Sequence, residues 1–299
     1  MTNFAFDSDA IDLPQGAWAK THRRTLSWRG RDILALTQGR RRAYVYPLYT
    51  PAGFAVTTES PADHPHHNSL WIASDHLHCL VPAGAGKIEE YTYNFYVDET
   101  FQGRAPGCIR ETGLETGETA DGAFCIEQAL DWVGPVEWAA DGGRTVMTEW
   151  RTLTVRPGDA FHVIDIRSSL TPTDWDVTFG PTRHAFFNFR VAESMRGARG
   201  GRLVDAEGRS GGGAVTGGAA AWVDYTGPLG GGAVAGIAMG PRAGVDAPAW
   251  FATDWGTVTL QPFRHAARKV SRGETLAMAV RLVVHDGALE PGRLDTLFA

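Results

Sequence analysis

Leu276-Ala277-Met278-Ala279-Val280-Arg281-Leu282-Val283-Val284 decides the fold class, because positions 276, 278, 280, 282 and 284 are all large and apolar. A period of two is the side-chain spacing on one face of a strand, so this run predicts a strand with one face on a core. From Phe161 to Leu170 the pattern repeats, with Ile164, Ile166 and Leu170 on one face and Asp165, Arg167 and Ser169 on the other. Ile88 to Val97 and Thr145 to Arg156 are rich in aromatic and β-branched residues, which favour strands. Asp141-Gly142-Gly143, Arg156-Pro157-Gly158-Asp159 and Ser271-Arg272-Gly273-Glu274 read as the turns between such runs. Many strands, short turns and few helical stretches predict an all-β chain, a large antiparallel β-sandwich. The glycine-rich stretch from Gly197 to Gly218 reads as a mobile loop over a sheet edge or as a passive linker.

A chain of 299 residues can bury a substantial core, and residues 1–299 are expected to form a single sandwich with an N-terminal extension over 1–20. The net charge of −6 argues against nucleic acid or an anionic membrane as partner. The basic triplet Arg40-Arg41-Arg42 reads as a solvated strand edge or turn. Met1 to Asp7 shows no secretion signal, and no run approaches the roughly 18 apolar residues of a membrane helix, so a cytoplasmic protein is expected. Cys79, Cys108 and Cys125 have no C-x-x-C spacing and read as reduced thiols, with Cys79 buried and inert. Long sheet edges leave room for a homo-oligomer.

Chemistry concentrates elsewhere. Asp63-His64-Pro65-His66-His67-Asn68-Ser69-Leu70-Trp71, followed by Asp75-His76-Leu77-His78, holds five of the ten histidines. Imidazole titrates nearest neutrality and is the commonest metal ligand. Pro65 biases His64 toward extended geometry, in which His64 and His66 converge while His67 faces away. His76 and His78 have the same spacing. Three readings stay open. His64, His66 and His78 could hold one divalent metal ion with a position free for substrate. Alternatively His64, His66, His67, His78 and His184 act as general acids and bases. The third reading is a hydrogen-bonded cluster that only organises a loop.

His184-Ala185-Phe186-Phe187-Asn188-Phe189-Arg190, read as a strand, places His184, Phe186, Asn188 and Arg190 on one face. That face is either a solvated polar surface or a binding surface for a polyhydroxylated or carboxylated ligand, with Arg183 and Glu193 flanking. Of the aromatic residues Trp71, Tyr91, Tyr93, Trp222, Tyr225 and Trp255, Trp71 has the best claim to stack on a ring, since it follows the histidines directly. Asn68 and His265 complete the candidate binding set, while His22, His162 and His285 read as structural. No G-x-S-x-G elbow, Walker loop or H-E-x-x-H occurs, and the glycine-rich stretch lacks the strand–turn–helix setting of a dinucleotide site.

Pro47-Leu48-Tyr49-Thr50-Pro51-Ala52-Gly53 followed by Asp63-His64-Pro65-His66-His67 resembles the bacterial PmoA-like proteins of unassigned function, where D-H-P-H-H-R-G-L-W is usual. Phe189-Arg190-Val191-Ala192, Asp205-Ala206-Glu207-Gly208-Arg209, Ala221-Trp222-Val223-Asp224-Tyr225, Gln261-Pro262-Phe263 and Leu282 to Gly287 continue it, over about residues 43 to 287. The resemblance implies a supersandwich similar to the galactose-mutarotase-like fold and a place in carbohydrate catabolism. Asn68-Ser69 replace the usual Arg-Gly, and His184 stands where a polar or acidic residue is more usual, so the substrate is expected to differ from that of typical members. The expectation is an acid–base enzyme (elimination, hydration, hydrolysis or epimerisation) acting on a sugar, oxidised sugar or glycoside. Its rivals are a non-catalytic carbohydrate-binding sandwich and a histidine-rich oxygenase acting on an aromatic ring.

Overall fold

The structure is a computed structural model that describes residues 3–7, 20–136, 142–245 and 248–299. Most of the N-terminal extension, the side chain of His22 and Asp141 of the first predicted turn lie outside the described residues. Among the described residues the strands form two eight-stranded sheets and one four-stranded sheet, with neighbouring strands antiparallel throughout. The first runs in the order β1 (Phe4–Asp7), β2 (Lys20–Trp28), β3 (Arg31–Gly39), β4 (Ala43–Leu48), β5 (Leu70–Ser74), β13 (Ala185–Arg190), β18 (Thr257–Gln261), β17 (Ala249–Ala252). The second runs β14 (Arg202–Asp205), β15 (Val223–Pro228), β16 (Val234–Pro241), β20 (Leu276–Asp286), β11 (Phe161–Pro172), β10 (Thr145–Arg156), β9 (Phe124–Val133), β8 (Cys108–Glu118). The small sheet is β19 (Arg268–Val270), β12 (Val177–Phe179), β6 (Leu77–Ala83), β7 (Lys87–Tyr93).

Alternation builds the sandwich as expected. Ile164, Ile166 and Leu170 of β11 and Met278, Val280, Leu282 and Val284 of β20 point into one apolar cluster. From the first sheet Leu34, Leu36, Ile72, Phe187 and Phe189 meet them there, and Leu77, Cys79 and Phe179 of the small sheet join. Burial of this kind contributes about 25 cal/mol per Å² of apolar surface, which makes it the main favourable term of folding. Val283 points the other way, where helix α2 (Pro291–Phe298) seats Leu294 and Phe298 on it and on Trp222. The stretch from Gly197 to Gly218 is neither a free loop nor a linker: it carries β14, paired with β15, and the helical turn α1 (Gly212–Val215), whose Gly212 N–H donates to Asp254.

A charged pair lies inside the sandwich. Glu149 and Arg151 of β10 share the inward face with Leu153, and the Glu149 carboxylate accepts from Arg151 (2.8 and 2.9 Å), Trp132 Nε1 (2.8 Å) and Ser168 Oγ (2.8 Å). Arg151 also donates across the core to the carbonyl of Ala43, at 3.3 Å in the first sheet.

The face of the first sheet that turns away from this core is where the site forms. Tyr44, Trp71, Asn188 and Thr259 lie directly opposite one another on β4, β5, β13 and β18. Arg190 and Thr257 form the next row. The connection from β7 to β8 roofs this surface, placing Tyr96 and Val97 on Tyr44, Trp71 and Ala73.

Candidate active site

The histidine segment is not extended. His67 N–H donates to His64 O at 2.9 Å and His64 N–H to Pro61 O at 3.0 Å, so the chain folds through two turns. This overturns the expectation that His67 faces away. Its ring stacks on His64 (4.7 Å between centroids) and on Trp71 (5.0 Å), and meets His66 edge-on at 4.7 Å. His67 is 3% exposed and its Nδ1 lies 3.2 Å from Thr257 Oγ1. His64 lies flat on Trp255 at 4.5 Å.

Two buried arginines set this geometry. Arg42, read from sequence as solvated, is 1% exposed: Nη1 donates to His66 O at 2.8 Å and to Asn68 Oδ1, and Nη2 to Tyr96 O at 2.8 Å and to Asp98. It ties the histidine loop to the roof. Arg190, whose side chain is fully buried, donates to both oxygens of Asp63 (3.1 and 2.9 Å) and to Glu193 (3.2 Å), and lies 4.7 Å over Trp255. Asp63 in turn sits 3.4 Å from His64 Nδ1. Partial burial would raise the Asp63 carboxyl, but hydrogen bonds from Arg190 and its charge outweigh burial and hold it below the usual range.

A second aspartate–histidine pair closes the other end. Asp75 Oδ2 lies 3.0 Å from His184 Nδ1, and Oδ1 accepts from Thr182 Oγ1. Arg104 of the roof donates to Asp75 O (3.1 Å) and lies 2.8 Å from His76 Nδ1. Burial raises the Asp75 carboxyl, yet the bonds from His184 and Thr182 prevail and keep it ionised. The ring of Tyr96 joins the two ends, 5.1 Å from His184 and 5.7 Å from His66. His64, His66 and His184 remain partly open to solvent, whereas His67 and Trp71 are buried beneath the Tyr96 ring of the roof.

Several sequence expectations are corrected. His78 does not join the cluster: on β6, Leu77 and Cys79 point into the core, so His78 faces the opposite side, 3.4 Å from Thr92 and 3.6 Å from Glu90. It therefore cannot share a metal with His64 and His66. Among the described residues no three His, Cys, Asp or Glu side chains are grouped to hold a metal ion. Phe186 leaves the face of Asn188 and Arg190 for the main core, beside Phe187 and Phe263. That face is buried, not solvated. Asn188 spends both amide donors on the Trp71 and Phe186 carbonyls and accepts from Thr259, so it is a post beneath the site. Asn68 likewise lies behind the site, on Arg42.

Arg183 is exposed next to His184, and His265 is exposed with no ring contact to the cluster. Glu193 sits at the rim, bonded to Arg190 and Arg196. Trp222 lies just before β15, packed on α2, and Tyr225 of β15 makes no ring contact with the histidines but donates its hydroxyl to Asp254 O at 2.8 Å, beside Trp255. Tyr96, Asp75 and Arg42 went unrecognised as site residues. The one local signal was the position of Asp75 at the end of a strand beside His76.

Burial, reinforced by the charge of Arg42, lowers His66 to about 4, and burial lowers His67 further still. Burial also lowers His162, at the far end of β11, to about 4. These rings are neutral at pH 7. Unfolded imidazoles protonate near 6.5, so between 6.5 and about 4 the unfolded chain binds more protons than the folded one. Stability is therefore complete above about pH 6.5 and drains away as the pH falls toward 4. Urea midpoints at about pH 7.5, 5.5 and 4.5 are expected to decrease in that order; equal midpoints would refute it.

Fold and site together define an all-β sandwich with a histidine–aspartate cluster on the outer face of one sheet. Residues 25–299 match the family of unknown function DUF6807, and the chain belongs to that family. That match carries no activity, and the PmoA-like name rests on the sequence resemblance alone. No functionally curated protein matches the chain. Among solved structures it is similar to the Slr1438 protein of Synechocystis sp. PCC 6803, at 10% identity over 96% of this chain and 97% of that one, TM-score 0.38. A Klebsiella pneumoniae protein with the provisional name aldose 1-epimerase is 10% identical over 93% and 87% of the two chains, TM-score 0.39. A β-arabinopyranosidase is 9% identical over 95% of this chain and 38% of its own, TM-score 0.35. At such scores none of them bears on what this chain does. No helix among the described residues is long and apolar enough to cross a membrane.

Proposed function

We propose that the chain is an enzyme performing acid–base chemistry on a small polyhydroxylated molecule: a sugar, an oxidised sugar or a glycoside. The observation that carries this reading is the pair of aspartate-backed imidazoles, His184–Asp75 and His64–Asp63, on either side of Tyr96 and His66. With Nδ1–H directed at Asp75, His184 offers Nε2 as a base, and the carboxylate steadies the imidazolium that forms. His64, beside Asp63, stands ready to deliver a proton from the other side. Elimination, hydration, hydrolysis and epimerisation all need such a pair. His66 stays neutral and supplies a hydrogen bond to a substrate oxygen rather than a charge.

The test is incubation of the protein in D₂O with aldoses, keto-sugars, uronates and glycosides, followed by proton NMR. Enzyme-dependent deuterium incorporation, anomer exchange or bond cleavage, lost in His66→Ala, is the expected result. Saturable binding of these compounds without any turnover would instead make the sandwich a carbohydrate-binding protein. The half-exposed Trp255 supports both His64 and Arg190, so Trp255→Ala is expected to cut turnover about tenfold or more through loss of orientation. Unchanged turnover would remove it from the site.

A further inference from the structure

We infer a second ligand site, for a small oxyanion, at the open end of the sandwich between β2–β3 of one sheet and β11 of the other. A cavity of about 210 Å³ lies there, bordered by Trp28, Arg29, Arg31, Asp159 and His162, and it shares no residue with the candidate active site. His162 is 3% exposed on the inward face of β11. Gly158 N–H donates to its Nδ1 at 3.3 Å, which leaves the proton of the neutral ring on Nε2. No described residue accepts that proton. A Cβ on Gly158 would come within 2.6 Å of Phe161 O, so glycine is what lets this N–H reach the ring.

Two guanidiniums complete the donor set. Arg29 and Gly30 form the two-residue turn between β2 and β3 with φ of 51° and 74°, a conformation that glycine or asparagine takes more easily than arginine. The turn holds the Arg29 guanidinium 4.1 Å above the Trp28 indole. Its nearest carboxylate, Asp159, is 3.9 Å away, and the two side chains are 58% and 91% exposed, so this ion pair is weak and easily exchanged for a ligand. Arg31 spends one N–H on Pro51 O at 3.1 Å and keeps the rest of its fork. Asp286, whose charge also reaches His162, is held by the Ala52 N–H at 2.9 Å. Two cations and an imidazole donor therefore face the cavity with Asp159 as its loosely held carboxylate, a balance that favours phosphate or a small carboxylate bound through charge-assisted hydrogen bonds.

The experiment titrates the whole chain with inorganic phosphate and, separately, with acetate, at ionic strength fixed with chloride, following the His162 ring protons by NMR. A saturable shift is expected with at least one of them, and which one saturates says whether the natural ligand is a phosphate or an organic acid. Arg29→Gln combined with Arg31→Gln, both at exposed positions, should weaken binding at least tenfold while leaving the far-ultraviolet dichroism unchanged. Shifts that grow linearly with concentration, or a curve unaltered in the double variant, would overturn the site.

Discussion

Changing His184 to alanine should lower kcat/KM by about 10²- to 10⁴-fold on whichever substrate the NMR screen reveals, the range general-base catalysis supplies. The reason lies in the partner arrangement. His184 Nδ1 is fixed on Asp75, itself held by Thr182, so the ring presents Nε2 in one orientation. Asp75→Asn keeps the volume but removes the charge that stabilises the imidazolium. A loss of similar size is expected there, because the neutral amide cannot stabilise the imidazolium that forms when His184 takes the proton. His184 is partly exposed and its ring meets only Tyr96 and Phe101 at the edge of the roof, so the thermal midpoint of His184→Ala should stay near that of the parent. Activity of either variant within threefold of the parent would discard the pair as a catalytic unit.

The largest stability effect is expected at Arg151. Glu149, with no exposed side-chain surface, depends on Arg151 for two of its four hydrogen bonds and for all of its charge compensation in the core. Arg151→Leu strands a carboxylate among apolar side chains, which costs about 3–5 kcal/mol. The strand pairing around it is unchanged, so the loss is one of charge and not of topology. Glu149→Gln added to Arg151→Leu should recover much of the loss, since the amide oxygen can still accept from Trp132 and the amide NH2 can donate to the Ser168 hydroxyl, without a charge to solvate. Urea unfolding of the parent and both variants decides it. A single variant less than about 1 kcal/mol below the parent would show that water or a displaced side chain reaches Glu149.

The sandwich was legible in sequence because its signal is local. Alternation in Leu276–Asp286, Thr145–Arg156 and Phe161–Pro172 survives folding, since each strand has one face on the shared core. Ile88 to Val97 reads as one strand but β7 stops at Tyr93, because Asn94 Oδ1 accepts the N–H groups of Tyr96 and Val97 and turns the chain over the site. The histidine segment was found as chemistry and misread as geometry: the turn bond from His67 to His64 leaves no trace in hydropathy. Arg42 looked like one charge in a basic triplet. Its partners at positions 66, 68, 96 and 98 are distant in sequence, and only pairing of β4 with β5 and the roof brings them within reach. His78 failed for the converse reason, since its spacing from His76 matched a ligand pair while strand register sent it to the opposite surface.

The stacking of His64 on Trp255 also gives the protein a built-in optical probe. An excited indole loses its energy to a protonated imidazole lying flat against it, so the emission of Trp255 should dim as His64 takes up a proton and brighten when it gives one away. Nine other tryptophans contribute background, which the spectrum of Trp255→Phe subtracts. Occupancy and proton movement at the histidines can then be followed in unlabelled protein by light alone, before the natural substrate is known.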